Sequence, residues 1–107
     1  MSTTQVRSPI VVLAVALLGL AGVAAPTARA DAVDNNFLNA LKSKQITFAS
    51  AQAAIVAGHE VCDELDQGKA TQDAANDVMT ESSLDAYHAG FFVGVSVAAF
   101  CPRHAGQ

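Results

Sequence analysis

The chain is short and acidic: it has 107 residues, with 6 basic and 10 acidic side chains and a formal net charge of −4. This balance argues against nucleic acid and anionic membrane surfaces as partners, because binding phosphate groups requires a basic surface. At this length a single small domain is expected.

Residues 1–30 have the pattern of a secretory signal peptide. Arg7 precedes an apolar run, Ile10–Val23, of fourteen residues without a polar side chain, and Ala28-Arg29-Ala30 is a small-x-small cleavage site. The alternative is a membrane anchor, but a spanning helix needs roughly 20 apolar residues. We therefore predict cleavage after Ala30 and a secreted, extracellular or cell-envelope protein without stable membrane anchoring.

The mature chain, residues 31–107, is predicted to be one small helical domain. Its 77 residues carry four basic and ten acidic side chains, so its net charge is −6. A core of this size is marginally stable and often needs a covalent or metal staple. Cys62 and Cys101 supply a disulfide if the chain is exported to an oxidising environment.

Two helices are expected in the first half of the mature chain. The first covers about residues 34–43, with Asp34 as its N-cap. The second begins after Thr47 or Ser50, either of which can cap it, and ends before Gly68, which suits the left-handed residue beyond a helix end.

Two further helices are expected in the second half. The third opens at Thr71, and the fourth begins after Ser82 or the next serine. Ser82 and Asp85 resemble a capping box with a shorter acid, and Pro102 stops the helix after about Phe100. The fold class is therefore all-α: a small bundle of three to four helices stapled by one disulfide.

The fourth helix is apolar on two sides, which predicts either the centre of the bundle or half of an interface. We favour the interface. Gly90 and Gly94 are expected to let the second helix approach closely, at Gly58 and its small neighbours. One stripe of the helix contains Leu84, Tyr87, Phe91, Val95 and Ala98, and the opposite side, the predicted interface, contains Phe92, Val93, Val97 and Phe100.

Several of these segments resemble a family of small secreted mycobacterial proteins catalogued as domain of unknown function 732. The resemblance implies secretion, a helical domain and a cysteine pair, and it implies no activity. Gln45 stands before Ile46 where family members often have glycine. The matching segments are Asp34-x2-Phe37-Leu38-x2-Leu41, Ala54-Ile55-x2-Gly58-x2-Val61-Cys62-x2-Leu65-x2-Gly68, Phe92-Val93 and Phe100-Cys101-Pro102.

The two cysteines also allow a metal site as an alternative to the disulfide. His59, Cys62, Cys101 and His104 make a Cys2His2 set. However, 38 residues separate the cysteines, which exceeds usual zinc-finger spacing, and His104 falls in an expected loose tail, residues 103–107. The disulfide is the preferred prediction, with no metal and no cofactor.

No catalytic constellation is present, so we expect a protein that is not an enzyme. Tyr87 and His88 point about 100° apart on a helix, so they are poor joint ligands for haem or a metal. Together with His59, they are expected to be partly exposed polar residues. A run of acids near the end of the second helix is expected to be a solvated face. These acids are Asp63, Glu64 and Asp66.

Two functions remain open. The first is a non-enzymatic module that binds an unidentified protein partner or associates with itself. The alternative is an extracellular carrier of a small apolar ligand, such as a lipid or a haem-like molecule, in a pocket among the helices. A carrier predicts a cavity, whereas an interaction module predicts an exposed apolar patch.

Overall fold

The computed structural model describes residues 28–106. The helical bundle lies within residues 33–106. The predicted signal peptide, residues 1–30, lies outside the described residues except at its last three positions.

Four α-helices and one short 3-10 helix make up the described part of the chain. Helix α1 covers residues 28–43, α2 Ala51–Asp66, α3 Thr71–Glu81 and α4 Ala86–Phe100, followed by a 3-10 helix at Pro102–His104. No strand occurs among residues 28–106. The all-α prediction is confirmed.

The beginnings of the helices follow local side-chain chemistry. Ser50 caps α2, because its hydroxyl oxygen accepts a hydrogen bond from the backbone N–H of Ala53 at 3.0 Å. Asp85, not Ser82, caps α4, and its carboxylate accepts from the N–H of His88 at 2.9 Å. The predicted capping box is therefore wrong, since Ser82 Oγ instead donates to the carbonyl of Val78.

Residue Asp34 does not cap the first helix. The chain is already helical from residue 28, so Asp34 lies inside α1 and its backbone N–H is not an orphan donor. The predicted start of α1 is too late because only residues after the expected cleavage site were considered part of the fold.

Two turns require a left-handed backbone. Gly68 has a φ of 93° just beyond the end of α2, as predicted. Gln45 has a φ of 58° in the turn after α1, where the N–H of Ile46 donates to the carbonyl of Leu41 at 3.0 Å. Residues with a Cβ rarely adopt this conformation, and glycine adopts it readily. The turn thus explains why glycine suits the position that Gln45 occupies.

The core is built around α4, which packs against both α2 and α3. Phe92 is 0% exposed, and its ring centroid lies 5.8 Å from that of Phe37 on α1 and 5.1 Å from that of Phe48. Val93 and Val97 are 1% and 7% exposed. The predicted interface at these positions is wrong, because the other helices cover this side of α4.

The fourth residue of that predicted interface, Phe100, is half-buried rather than free. Its ring centroid lies 4.9 Å from that of Phe37 and 4.0 Å from that of His59, so the ring is sandwiched between α1 and α2. The Phe100 ring therefore packs mostly against other residues of the same domain.

A disulfide joins α2 to the residue after α4. Cys62 and Cys101 are bonded, their Cα atoms lie 5.9 Å apart, and both residues are buried. The bond closes a loop of 39 residues by sequence separation and holds the end of α4 against α2. The predicted staple is therefore present in the fold.

The close approach predicted for Gly90 and Gly94 occurs elsewhere. A Cβ built on either glycine meets nothing within 4 Å, because both face outward. A Cβ on Gly58 of α2 would lie 2.9 Å from ring atoms of both Phe37 and Phe100. Gly58 is the position at which the absence of a side chain lets aromatic rings reach the α2 backbone.

Gly58→Ala is expected to destabilise the domain, with Gly90→Ala as its matched control. Both changes carry the same gain in helix propensity, so their difference isolates the clash with the two rings. We expect Gly58→Ala to be less stable than Gly90→Ala by about 1–3 kcal/mol in urea unfolding. Equal stability of the two variants would show that the rings move aside freely.

Candidate functional site

The residues of the alternative metal site do not form one. Both cysteine sulfurs are used by the disulfide, His59 stacks on Phe100, and His104 Nε2 lies 2.7 Å from Asp66 Oδ1. Within residues 28–106, no group of three or more His, Cys, Asp or Glu side chains could hold a metal ion. Neither cysteine of the Cys2His2 set therefore has a thiolate with which to bind a metal.

The C-terminal segment is tied to the end of α2, contrary to the predicted loose tail. Arg103 Nη2 donates to both carboxylate oxygens of Asp66, at 2.6 and 2.8 Å, and His104 lies beside the same carboxylate. The hydrogen bond from His104, followed by that from Arg103, lowers the pKa of the Asp66 carboxyl. Because folding lowers this pKa, the contribution to stability is present above the ordinary carboxyl range and is lost as the pH falls through the lowered value.

A second ion cluster links the end of α2 to α3. Lys69 Nζ donates to Glu64 Oε1 at 2.7 Å and also to Asp77 on α3. Burial raises the pKa of the Glu64 carboxyl, and the hydrogen bond between Glu64 and Asp77 raises it further. The same hydrogen bond, followed by the one from Lys69, lowers the pKa of the Asp77 carboxyl. Glu64 is thus the first of the pair to take up a proton in acid. Of the three acids predicted to form a solvated face, Asp63 and Asp66 are exposed, and Glu64 is partly buried. Asp66 and Glu64 in addition make ion pairs with other segments.

A cleft with an acidic rim lies between α2 and α3, and we call it the acidic cleft. Its volume is about 120 Å³. Apolar side chains form its floor: Phe48, Ala57, Val61, Val78 and Phe92. Polar side chains form its rim: Glu60, Glu64, Asp77, Glu81 and Ser82.

On the side of α4 opposite the core, the helix residues carry no charge, and within the described part of the chain several of them are exposed. Tyr87 is 59% exposed, and Gly90, Gly94 and Ala98 are exposed along the same side. Lys44 Nζ lies 5.8 Å from the ring centroid of Tyr87 and 5.6 Å from that of Phe91. We call this surface the outer face of α4, and it contains Tyr87, Gly90, Phe91, Gly94, Val95 and Ala98.

The remaining predicted polar residues have local structural roles. His88 Nδ1 lies 2.8 Å from Asp85 Oδ1, so His88 completes the cap of α4 through both its ring and its backbone. Its backbone and ring hydrogen bonds lower the pKa of Asp85. His59 is exposed on α2, with one face of its ring against Phe100.

Sequence reasoning missed both candidate surfaces. It placed the interface on the wrong side of α4, although the stripe containing Tyr87 and Phe91 is the one that faces outward. It also did not connect Glu60 on α2 with Glu81 on α3. The only available signal was helical register on two separate elements, and register does not say which faces meet.

Among the described helices, none is by itself long and apolar enough to cross a membrane. Taken together, α3 and α4 have the length and apolar composition of a membrane span, but the two helices are bent by 118° at their junction.

Most of the chain matches one known protein family. Residues 30–103 match the family described as "Protein of unknown function (DUF732)". The chain belongs to the DUF732 family. The match includes all of α2, α3 and α4, both cysteines and the turn at Gln45, so the bundle and its disulfide lie within the family domain.

Several mycobacterial proteins are similar to this chain. "Uncharacterized protein Rv1271c" of Mycobacterium tuberculosis (strain H37Rv) is 34% identical over 92 residues, which cover 86% of this chain and 81% of the relative. "Uncharacterized protein MT1330" of M. tuberculosis (strain CDC 1551) is 38% identical over 93 residues, covering 86% and 84%. "Uncharacterized protein Mb1302c" of Mycobacterium bovis is 34% identical over 92 residues, covering 86% and 81%. No solved structure matches the chain.

Proposed function

We propose that this protein is an exported, non-enzymatic interaction module that associates with a second copy of itself through the outer face of α4. The observation that carries the proposal is the composition of that helix. Ala86–Phe100 contains no Asp, Glu, Lys or Arg, although one whole side of it faces outward. Contiguous exposed apolar surface usually marks a contact site.

Charge supports a second copy as the occupant. The mature chain carries fourteen charged side chains in 77 residues and a net charge of −6. Two copies therefore repel each other over most of their surfaces. That repulsion is weakest at the outer face of α4, whose helix residues carry no charge and whose neighbour Lys44 is a cation.

The shape of the face supports the same occupant. Gly90 and Gly94 lie one turn apart, and nothing within 4 Å occupies the space that a side chain would fill at either position. A helix from a second copy can therefore approach the α4 backbone closely between the rings of Tyr87 and Phe91 and the methyl group of Ala98.

The alternative of an apolar-ligand carrier has weaker support. The acidic cleft has a volume of about 120 Å³, whereas pockets for small molecules usually measure roughly 300–1,000 Å³. A larger hollow of about 600 Å³ lies beside α3 and α4, but it is open to solvent and its lining is mostly small or polar: Gly68, Lys69, Ala70, Thr71, Gln72, Ala75, Gly90 and Val93. Native mass spectrometry of protein purified from culture medium separates the two proposals. A co-purifying small molecule would favour the carrier, and a dimer mass without added ligand would favour self-association.

Gly94→Glu is the direct test of self-association. The change places a carboxylate in the middle of the outer face, and it raises helix propensity, so the fold is not weakened. We expect residues 31–107 to be dimeric by sedimentation equilibrium at high concentration and the variant to be monomeric with an unchanged circular dichroism spectrum.

Gln52→Glu is the matched control, because it adds the same charge at an exposed position of α2. It should leave the dimer intact. A wild-type chain that stays monomeric at high concentration, or a Gly94→Glu variant that dimerises as well as wild type, would contradict the proposal.

A further inference from the structure

The acidic cleft combines an aromatic floor with an excess of negative charge at its rim. Phe48 and Phe92 lie in contact below it, with ring centroids 5.1 Å apart. Four carboxylates line it, at Glu60, Glu64, Asp77 and Glu81, against one neighbouring cation, Lys69. The cleft is thus an apolar groove whose rim selects for positive charge.

The chain's own lysine already satisfies half of this rim. Lys69 Nζ is bonded to both Glu64 and Asp77, so these two carboxylates are held in place and neutralised in part. Glu60 and Glu81 are exposed, and no ion pair involves either of them among residues 28–106. The rim therefore keeps two carboxylates available for a cation from outside the domain.

The geometry points to the acidic cleft as a docking site for a basic segment of a protein partner, which inserts one Arg or Lys side chain. The methylene groups of that side chain lie on the partly exposed apolar residues of the floor, Phe48, Ala57 and Val78, and its cationic head reaches Glu60 and Glu81. The site is independent of the proposed self-association, because Phe92 faces the cleft from the side of α4 opposite the outer face.

The dimensions of the cleft favour a single long side chain. Its volume of about 120 Å³ is well below that of pockets for drug-sized molecules, roughly 300–1,000 Å³. Nucleic acid does not fit the charge, because phosphate groups would face four carboxylates. A basic peptide matches both the size and the sign of the charge.

A peptide titration followed by nuclear magnetic resonance tests this site. The probe is acetyl-leucyl-arginyl-leucine amide, added to ¹⁵N-labelled residues 31–107, and acetyl-leucyl-glutaminyl-leucine amide is the neutral comparison. We expect millimolar binding of the arginine peptide, about tenfold tighter than the neutral one. The shifted amide signals should be those of Phe48, Val61, Val78 and Glu81, and high salt should weaken binding.

Two double variants distinguish peptide binding in the cleft from general attraction to the negative charge of the domain. Glu60→Gln with Glu81→Gln should weaken binding of the arginine peptide about tenfold. Asp63→Asn with Asp73→Asn removes the same formal charge outside the cleft and should change the affinity less than about twofold.

Three results would overturn the docking site: equal binding of the two peptides, equal weakening by the two variant pairs, or no shifted signals at millimolar concentration. Shifts confined to the outer face of α4 would also overturn it. None of these results bears on the dimer test, since Gly94→Glu leaves the cleft unchanged and the cleft variants leave α4 unchanged.

Discussion

Phe92→Ala is expected to cost about 3–5 kcal/mol of the free energy of unfolding. The side chain is 0% exposed, and its ring meets those of Phe37 and Phe48. Removing it takes away buried apolar area, two aromatic contacts and the floor of the acidic cleft, and it leaves a cavity between α1, α4 and the turn before α2. Because small domains are stable by only about 5–15 kcal/mol, the variant should be largely unfolded in moderate urea.

Tyr87→Ala is the matched control for this change, because it truncates an aromatic side chain on the same helix. Tyr87 is 59% exposed, so its loss should alter the stability of the monomer, measured at low protein concentration, by less than about 0.5 kcal/mol. Urea unfolding followed by circular dichroism measures both variants. If Tyr87→Ala proved as costly as Phe92→Ala, the assignment of the inner and outer sides of α4 would be wrong.

Loss of the disulfide is expected to have a similarly large effect. The bond between Cys62 and Cys101 spans a sequence separation of 39 residues. In the chain-entropy account, closing a loop of this length contributes about 4 kcal/mol by restricting the unfolded chain. For a domain of this size, such a loss should lower Tm by about 15 °C or more. Cys62→Ala with Cys101→Ala removes the bond without introducing a buried polar group.

Reduction of the wild-type chain provides the control for the double variant. Dithiothreitol should lower the stability of the wild type to about that of Cys62→Ala with Cys101→Ala, and it should have no effect on the variant. Thermal unfolding with and without reductant measures both. A reduced wild type that loses less than about 1 kcal/mol would mean that the packing of α4, with the Arg103 and His104 contacts to Asp66, holds the chain end without the bond.

Local chemistry made several parts of this fold predictable. The hydroxyl of Ser50 marks the start of α2, and Gly68 marks its end, because capping and left-handed turns depend on the residue at that position. The cysteine pair could also be predicted, because a chain with two cysteines has one possible intramolecular bond. The all-α class follows from helical periodicity with few breaking residues.

Neighbouring elements decided what local chemistry left open. Periodicity predicted exposure for Asp66 and Glu64 but gave them no partners; the fold brings Arg103 to the first and Lys69 with Asp77 to the second. Gln45 has no signal for a left-handed turn, and the packing of Ile46 under α1 imposes one. Each of these contacts joins residues whose approach depends on the path of the chain.

The orientation of α4 shows most clearly what the sequence determined and what the tertiary structure decided. The sequence determined that residues 86–100 form a helix that is apolar on both sides. Because both sides are apolar, helical periodicity alone could not say which of them is buried. Packing decided it, because Phe92 fits between the rings of Phe37 and Phe48, whereas Gly90 and Gly94 have no side chain with which to fill a core. That choice of side places Phe92 beneath the acidic cleft and leaves the outer face of α4 exposed.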